Sequence, residues 1–212
     1  MNHFDAANCR RAIFSCFSMA IAFALGVQEP RAATNNATGV PDNRWLMVVQ
    51  TTASMQPRAV EAANLAAMLV ASGMSGQMAA GDTLGLWTFD DSLHSGVFPL
   101  QLWTPSTRKA IADHIYDFLR AQKFQKEGHL SFVLFDARKV IENSEFLTIV
   151  LITDGTENLQ GTPFDEKINK IYATWRKDQE KAHIPFITVL RAEHGKLTNC
   201  AVTVAPCMRS TR

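Results

Sequence analysis

From residue 44 onward, apolar positions fall into short unbroken runs separated by stretches of helical period. Residues 45–49, 147–152 and 186–190 are apolar almost without interruption, the pattern of strands buried on both faces, and residues 83–89 read as a further strand. Residues 58–70 are dense in Ala, Leu and Met with no β-branched run, which predicts a helix ended by Gly73 and Gly76. Ile111, Ile115, Phe118 and Leu119 share one face of a second helix opened by Pro105 and Ser106. Val133, Ala137, Val140 and Ile141 mark a shorter helix after Gly128. Phe164, Ile168, Ile171, Tyr172 and Trp175 trace an amphipathic one. Gly81 and Asp82 turn into the second strand, and residues 93–103 are predicted to return as an antiparallel edge strand, with Asp90 and Asp91 at the turn. Residues 199–205 form a last candidate strand.

Strands alternating with helices predict an α/β fold: a doubly wound, mostly parallel central sheet with one antiparallel edge strand and helices on both faces. In such sheets a ligand crevice lies beyond the carboxyl ends of the strands, where strand order reverses.

The start of the chain departs from this pattern. Arg10 and Arg11 precede an uncharged, apolar or small stretch at 12–27, too short for the roughly 20 residues that span a bilayer. Small residues follow at Ala24 to Gly26 and again at Ala32 and Ala33. Residues 1–33 therefore read as an export signal, with paired arginines of twin-arginine look; the alternative is an uncleaved N-terminal anchor. Residues 34–43 are polar and turn-rich, a linker to a domain at 44–207, and 208–212 form a tail. The location predicted is periplasmic or secreted, with no membrane association after signal cleavage.

Charge adds little to the picture. Twenty-one basic and 20 acidic side chains nearly cancel across 212 residues, and no basic stripe suggests nucleic acid. Cys9 and Cys16 leave with the signal, so Cys200 and Cys207 remain and read as a disulfide closing a small loop in an oxidising compartment; two unpaired thiols are the alternative. No zinc ligand set is complete around them.

Two strand ends carry the candidate chemistry. After the first strand stand Gln50, Thr52 and Ser54, oxygen-bearing side chains two apart on a turn before a helix. After the 147–152 strand stand Thr153, Asp154 and Gly155. Together with Ser54-Met55 and the Gly81-Asp82-Thr83-Leu84-Gly85-Leu86-Trp87-Thr88-Phe89 stretch, these residues resemble a von Willebrand factor type A domain over about residues 45–190. That family's first strand ends in Asp-x-Ser-x-Ser and a later one in Thr-Asp-Gly. The resemblance implies a divalent cation such as Mg²⁺, completed by a carboxylate of a partner protein, and hence adhesion or assembly rather than catalysis.

The departures lie within the metal site. Gln50 stands where the family has its first aspartate, Thr52 replaces a serine, and only Ser131 is near the place of the family's threonine. Ser54 and Asp154 match. Mg²⁺ favours charged oxygen ligands that offset its dehydration, and one of two carboxylates is gone. Thr52, Ser54 and Asp154, with Gln50 and Ser131 as weak contributors, form the expected degenerate cation site. The competing expectation is that they bond one another and cap the following helix.

Two functions follow. One is a non-catalytic protein-binding module that meets an unidentified protein partner through the loops after Gln50, Ser131 and Asp154, with Thr156 and Glu157 at the rim. The other is a structural or accessory domain with an inert crevice. A hydrolase using Ser54 is a remote third reading, since no motif places a histidine base beside it. Asp90 and Asp91 read as solvated turn acids, the alternative being a cation held between them.

Overall fold

A computed structural model describes residues 43–204. The predicted export signal, all of the linker before Asn43, Cys207 and the tail lie outside the described residues, and with them the expected Cys200–Cys207 pairing.

Seven strands form one sheet: β1 (Arg44–Gln50), β2 (Thr83–Phe89), β3 (Leu93–His94), β4 (Gln101–Leu102), β5 (Phe146–Thr153), β6 (Phe186–Glu193) and β7 (Lys196–Thr203). Their order is β3-β2-β1-β5-β6-β7, with β4 also on β2. The helices are α1 (Ala59–Ala71), entered through a 3₁₀ turn at Ala53–Arg58, then α2 (Arg108–Arg120), α3 (Leu130–Glu142) and α4 (Asp165–Ala182).

The class is α/β, with a parallel centre and helices on both faces. β1 lies parallel to both β2 and β5. Alternate residues of each strand serve opposite layers. Met47, Val49 and Ile152 face α1 and α2. Leu46, Val48 and Leu151 face α3 and α4. Full burial of each such side chain is worth about 1.5–3 kcal/mol over exposure, so both helical layers are held by the same strands. On α2 the expected face is nearly all in the core; Phe118 alone is half-buried.

Antiparallel pairing reaches further than the edge expected beyond β2. That edge is two fragments, β3 and β4, each pairing two residues with opposite ends of β2. Pro99 lies between them and has no N–H to give a ladder. On the other side β6 runs antiparallel to β5, and β7 closes the sheet as a hairpin through His194 and Gly195. β7 begins at Lys196, ahead of the predicted start at 199.

The turn after α1 is also unusual. Gly73, Met74, Ser75 and Gly76 all have positive φ, at 61°, 52°, 60° and 84°. This is one left-handed turn, and at Gly73 a Cβ would lie 2.7 Å from the Trp103 ring. Two of its residues carry side chains that resist this conformation.

The chain moves from β1 to β2 on one side, then returns to β5 on the other. Strand order therefore reverses at the β1/β5 boundary, and Gln50 and Asp154 end those two strands, whose axes lie about 4.8 Å apart.

Candidate functional site

Gln50 is 3 % exposed, and its carboxamide faces the start of the β5–α4 loop. Its Oε1 accepts the Asp154 backbone N–H at 3.0 Å. That fixes the amide orientation, because an N–H can only donate. The Nε2 group therefore points the other way, donating to Thr52 Oγ1 at 2.8 Å and to Asp154 Oδ2 at 3.2 Å. Both N–H donors and one of the two oxygen lone pairs of the side chain are used.

Asp154 is 1 % exposed. Its second oxygen accepts from the Thr156 backbone N–H at 2.8 Å and the Thr156 hydroxyl at 2.6 Å. Thr52 continues the network to Ser54, with the hydroxyl oxygens 2.9 Å apart. Thr52 and Asp154 are buried, while Ser54 and Thr156 are exposed above them. Thr52 precedes the 3₁₀ turn but makes no side-chain capping bond, so that half of the bonding-and-capping expectation fails: its hydroxyl is committed to Gln50 and Ser54.

Two glycines let this corner close. Gly155 has φ 68°, and a Cβ there would lie 2.6 Å from the Phe186 ring and 3.3 Å from Tyr172. Gly128, on the loop before α3, lies against Thr52 Cγ2, where a Cβ would also come within 3.1 Å of Glu157 Oε1. Below this, the Tyr172 hydroxyl pairs with Thr188 at 2.6 Å, and burial pushes its pKa up.

The loop before α3 is tied down from three sides. Glu157 accepts the Leu130 N–H at 2.8 Å and so caps α3. The Lys126 carbonyl accepts the Ala53 N–H at 2.8 Å, and the Asp90 carbonyl accepts the His129 N–H at 3.2 Å. Asp90 differs from the solvated turn acid predicted. It is buried, with His94 Nε2 at 2.9 Å and Lys126 Nζ at 3.7 Å, while Asp91 meets Lys126 at 2.9 Å. Burial works to raise the Asp90 carboxyl; Asp91, the Ser92 N–H and His94 outweigh it and hold the group below its ordinary value. The Asp91 contact raises Lys126.

Of the residues the sequence singled out, Gln50, Thr52, Ser54, Asp154 and Thr156 come together in one network. Glu157 adjoins it through Gly128. Ser131 lies exposed in the first turn of α3, outside the network. Cys200 is buried in β7. Residues that sequence reading passed over are Gly128, Lys126, His94 and Arg58; the last is 6 % exposed and donates to the Ser54 carbonyl at 3.0 Å.

The donor set fits a hard cation poorly. The place between Thr52 and Asp154 is spanned by an amide nitrogen, which carries protons and offers no lone pair. Turning the amide over would leave the Asp154 N–H facing an NH₂ group, a buried loss of about 1–3 kcal/mol. Among the described residues no three His, Cys, Asp or Glu side chains converge. Histidine rings contact Asp90, Phe98, Phe132 and Phe146 rather than Ser54. No described helix is long and apolar enough to cross a membrane. Known protein families and curated proteins contain no match to this chain.

Proposed function

We propose that this chain is a non-catalytic protein-binding module of the von Willebrand factor type A kind, acting outside the cytoplasm, whose binding face works without a bound cation. The observation that carries this reading is the closed Gln50–Thr52–Asp154 network, with Ser54 and Thr156 exposed above it. A cation in a site of this sort draws oxygen ligands from two strand ends to one point. Here the Gln50 amide joins the same two strand ends through its own hydrogen bonds. A rim fixed in this way presents polar groups with little ordering left to lose on association.

The neighbouring surface suits a protein partner. Phe132 is half exposed on the first turn of α3 and stacks edge-on with His129, 5.6 Å between centroids. An exposed aromatic beside a fixed polar rim is the usual make-up of an anchoring patch. Catalysis is not part of the proposal, because the Ser54 hydroxyl meets Thr52 and no basic side chain.

The test is capture from the native cell with the wild-type chain and with Ser54→Ala, an exposed position whose change removes one contact of Thr52 and keeps the bonds among Gln50, Thr52 and Asp154. A partner captured by the wild type in the presence of a chelator, and lost with Ser54→Ala, supports the reading. Identical capture by both chains would place the contacts elsewhere and make the crevice inert.

A further inference from the structure

Arg58 ends the 3₁₀ turn that carries Ser54, and it is almost wholly buried. Its Nη1 donates to the Ser54 carbonyl, and its Nε is sealed with no acceptor. No carboxylate of the described residues forms an ion pair with it; the pairs present involve His94, Lys109, Lys126 and Lys139. Nη2 makes no hydrogen bond among the described residues, which leaves it free to donate. A buried cation compensated by one neutral carbonyl is an expensive arrangement, and a long apolar side chain would fill the same space without it.

We propose that Arg58 is the anion-binding group of this face and receives a carboxylate of the partner protein beside the exposed Ser54 hydroxyl. The proposal rests on the protein-binding reading and names the chemistry of the contact. The Ser54 hydroxyl can donate to such a carboxylate, and the Ser54 carbonyl accepts the Nη1 bond that holds the guanidinium in place. With Nη1 on the Ser54 carbonyl and Nε sealed, Nη2 is left to donate, and a bond from a cationic nitrogen to a carboxylate is of the strong, charge-assisted kind. Phosphate fits less well. One positive charge meets a face that already holds the Asp154 and Glu157 carboxylates, and a dianion would be repelled more than a monoanion. No second basic side chain bonds to this turn.

The test uses the full chain with sodium acetate as the probe. Thermal midpoints are followed in acetate, phosphate and chloride at equal ionic strength, in the wild type and in Arg58→Met. In parallel, the Arg58 Nε–H resonance of the wild type is followed by NMR. The proposal expects an acetate-dependent rise of a few degrees over chloride in the wild type and none in Arg58→Met. It also expects a saturable shift of the resonance with acetate, and an Arg58→Met midpoint in chloride equal to or above that of the wild type. Equal acetate responses in the two chains would overturn it, as would a stronger response to phosphate. So would an Arg58→Met chain that fails to fold, since the guanidinium would then be structural. Partner capture is measured separately with Ser54→Ala. Acetate binding with unchanged capture would sink the protein-binding reading, and with it the partner as the source of the carboxylate, whereas lost capture without acetate binding would sink this proposal alone.

Discussion

Gln50 and Asp154 hold each other at two points: Oε1 accepts the Asp154 N–H at 3.0 Å, and Nε2 donates to the Asp154 carboxylate at 3.2 Å. The clasp joins the ends of two neighbouring parallel strands across 104 residues of sequence. Gln50→Ala would leave a buried N–H unpaired and open a small void. We expect a loss of about 2–4 kcal/mol in urea unfolding. Gln50→Met fills the void but not the bonds, so its loss should be smaller and confined to the hydrogen-bonding part.

Gly155 and Gly128 allow the close approach for different reasons. At Gly155 both the φ of 68° and the Phe186 ring oppose a side chain. Gly155→Ala should cost more than the roughly 1 kcal/mol expected from backbone conformation alone. At Gly128 the obstacle is Thr52 and the Glu157 carboxylate. Gly128→Ala should therefore shift the Thr52 and Leu130 amide resonances while costing less stability. Equal costs at the two positions would contradict this assignment.

Asp90 ties the β2–β3 turn to the loop before α3, and its carboxyl sits below its ordinary value of 3.8. A group depressed in the folded state contributes stability above its unfolded value and loses it as pH falls through its folded value. Asp90→Asn should thus lower stability by about 1 kcal/mol at neutral pH. The gap to the wild type should close as pH falls below 3.8. A gap that persists at low pH, measured by chemical unfolding across the acid range, would show that shape rather than charge is responsible.

Ser75 is exposed and held at φ 60° in the left-handed turn after α1. Its backbone N–H bonds to the Ser72 hydroxyl, a contact that glycine keeps. Ser75→Gly should raise stability by about 0.5–1 kcal/mol, the relief of the left-handed conformation less glycine's greater entropy loss. A lower melting temperature would mean that the hydroxyl matters more than the backbone.

Much of this architecture is legible in the sequence because it depends on local pattern. The nearly unbroken apolar runs at β1 and β5 identify strands buried on both faces, and the rule for switch points brings Gln50 and Asp154 together. What was hidden depends on tertiary direction. A run such as residues 186–190 reads the same in either direction, so nothing in it foretold that β6 is antiparallel. Gly73 and Gly76 signalled the end of α1, yet the left-handed turn between them also needs Trp103, thirty residues away in the chain. Arg58 looked like an ordinary polar residue at a helix start. Its burial follows from the 3₁₀ turn that folds it back onto Ser54.

The departure at Gln50 was visible as a lost charge. Its consequence was not, because one side chain offers both a donor and an acceptor. Which faces the crevice is decided by the Asp154 N–H. That choice is the centre of the account, and calorimetric titration of the full chain with Mg²⁺ and Mn²⁺ tests it most directly, beside Gln50→Asp and Asp154→Ala. The account predicts no submillimolar binding by the wild type and a gain of at least about tenfold in Gln50→Asp, where a second carboxylate replaces the amide. Submillimolar binding by the wild-type chain that disappears in Asp154→Ala would contradict it.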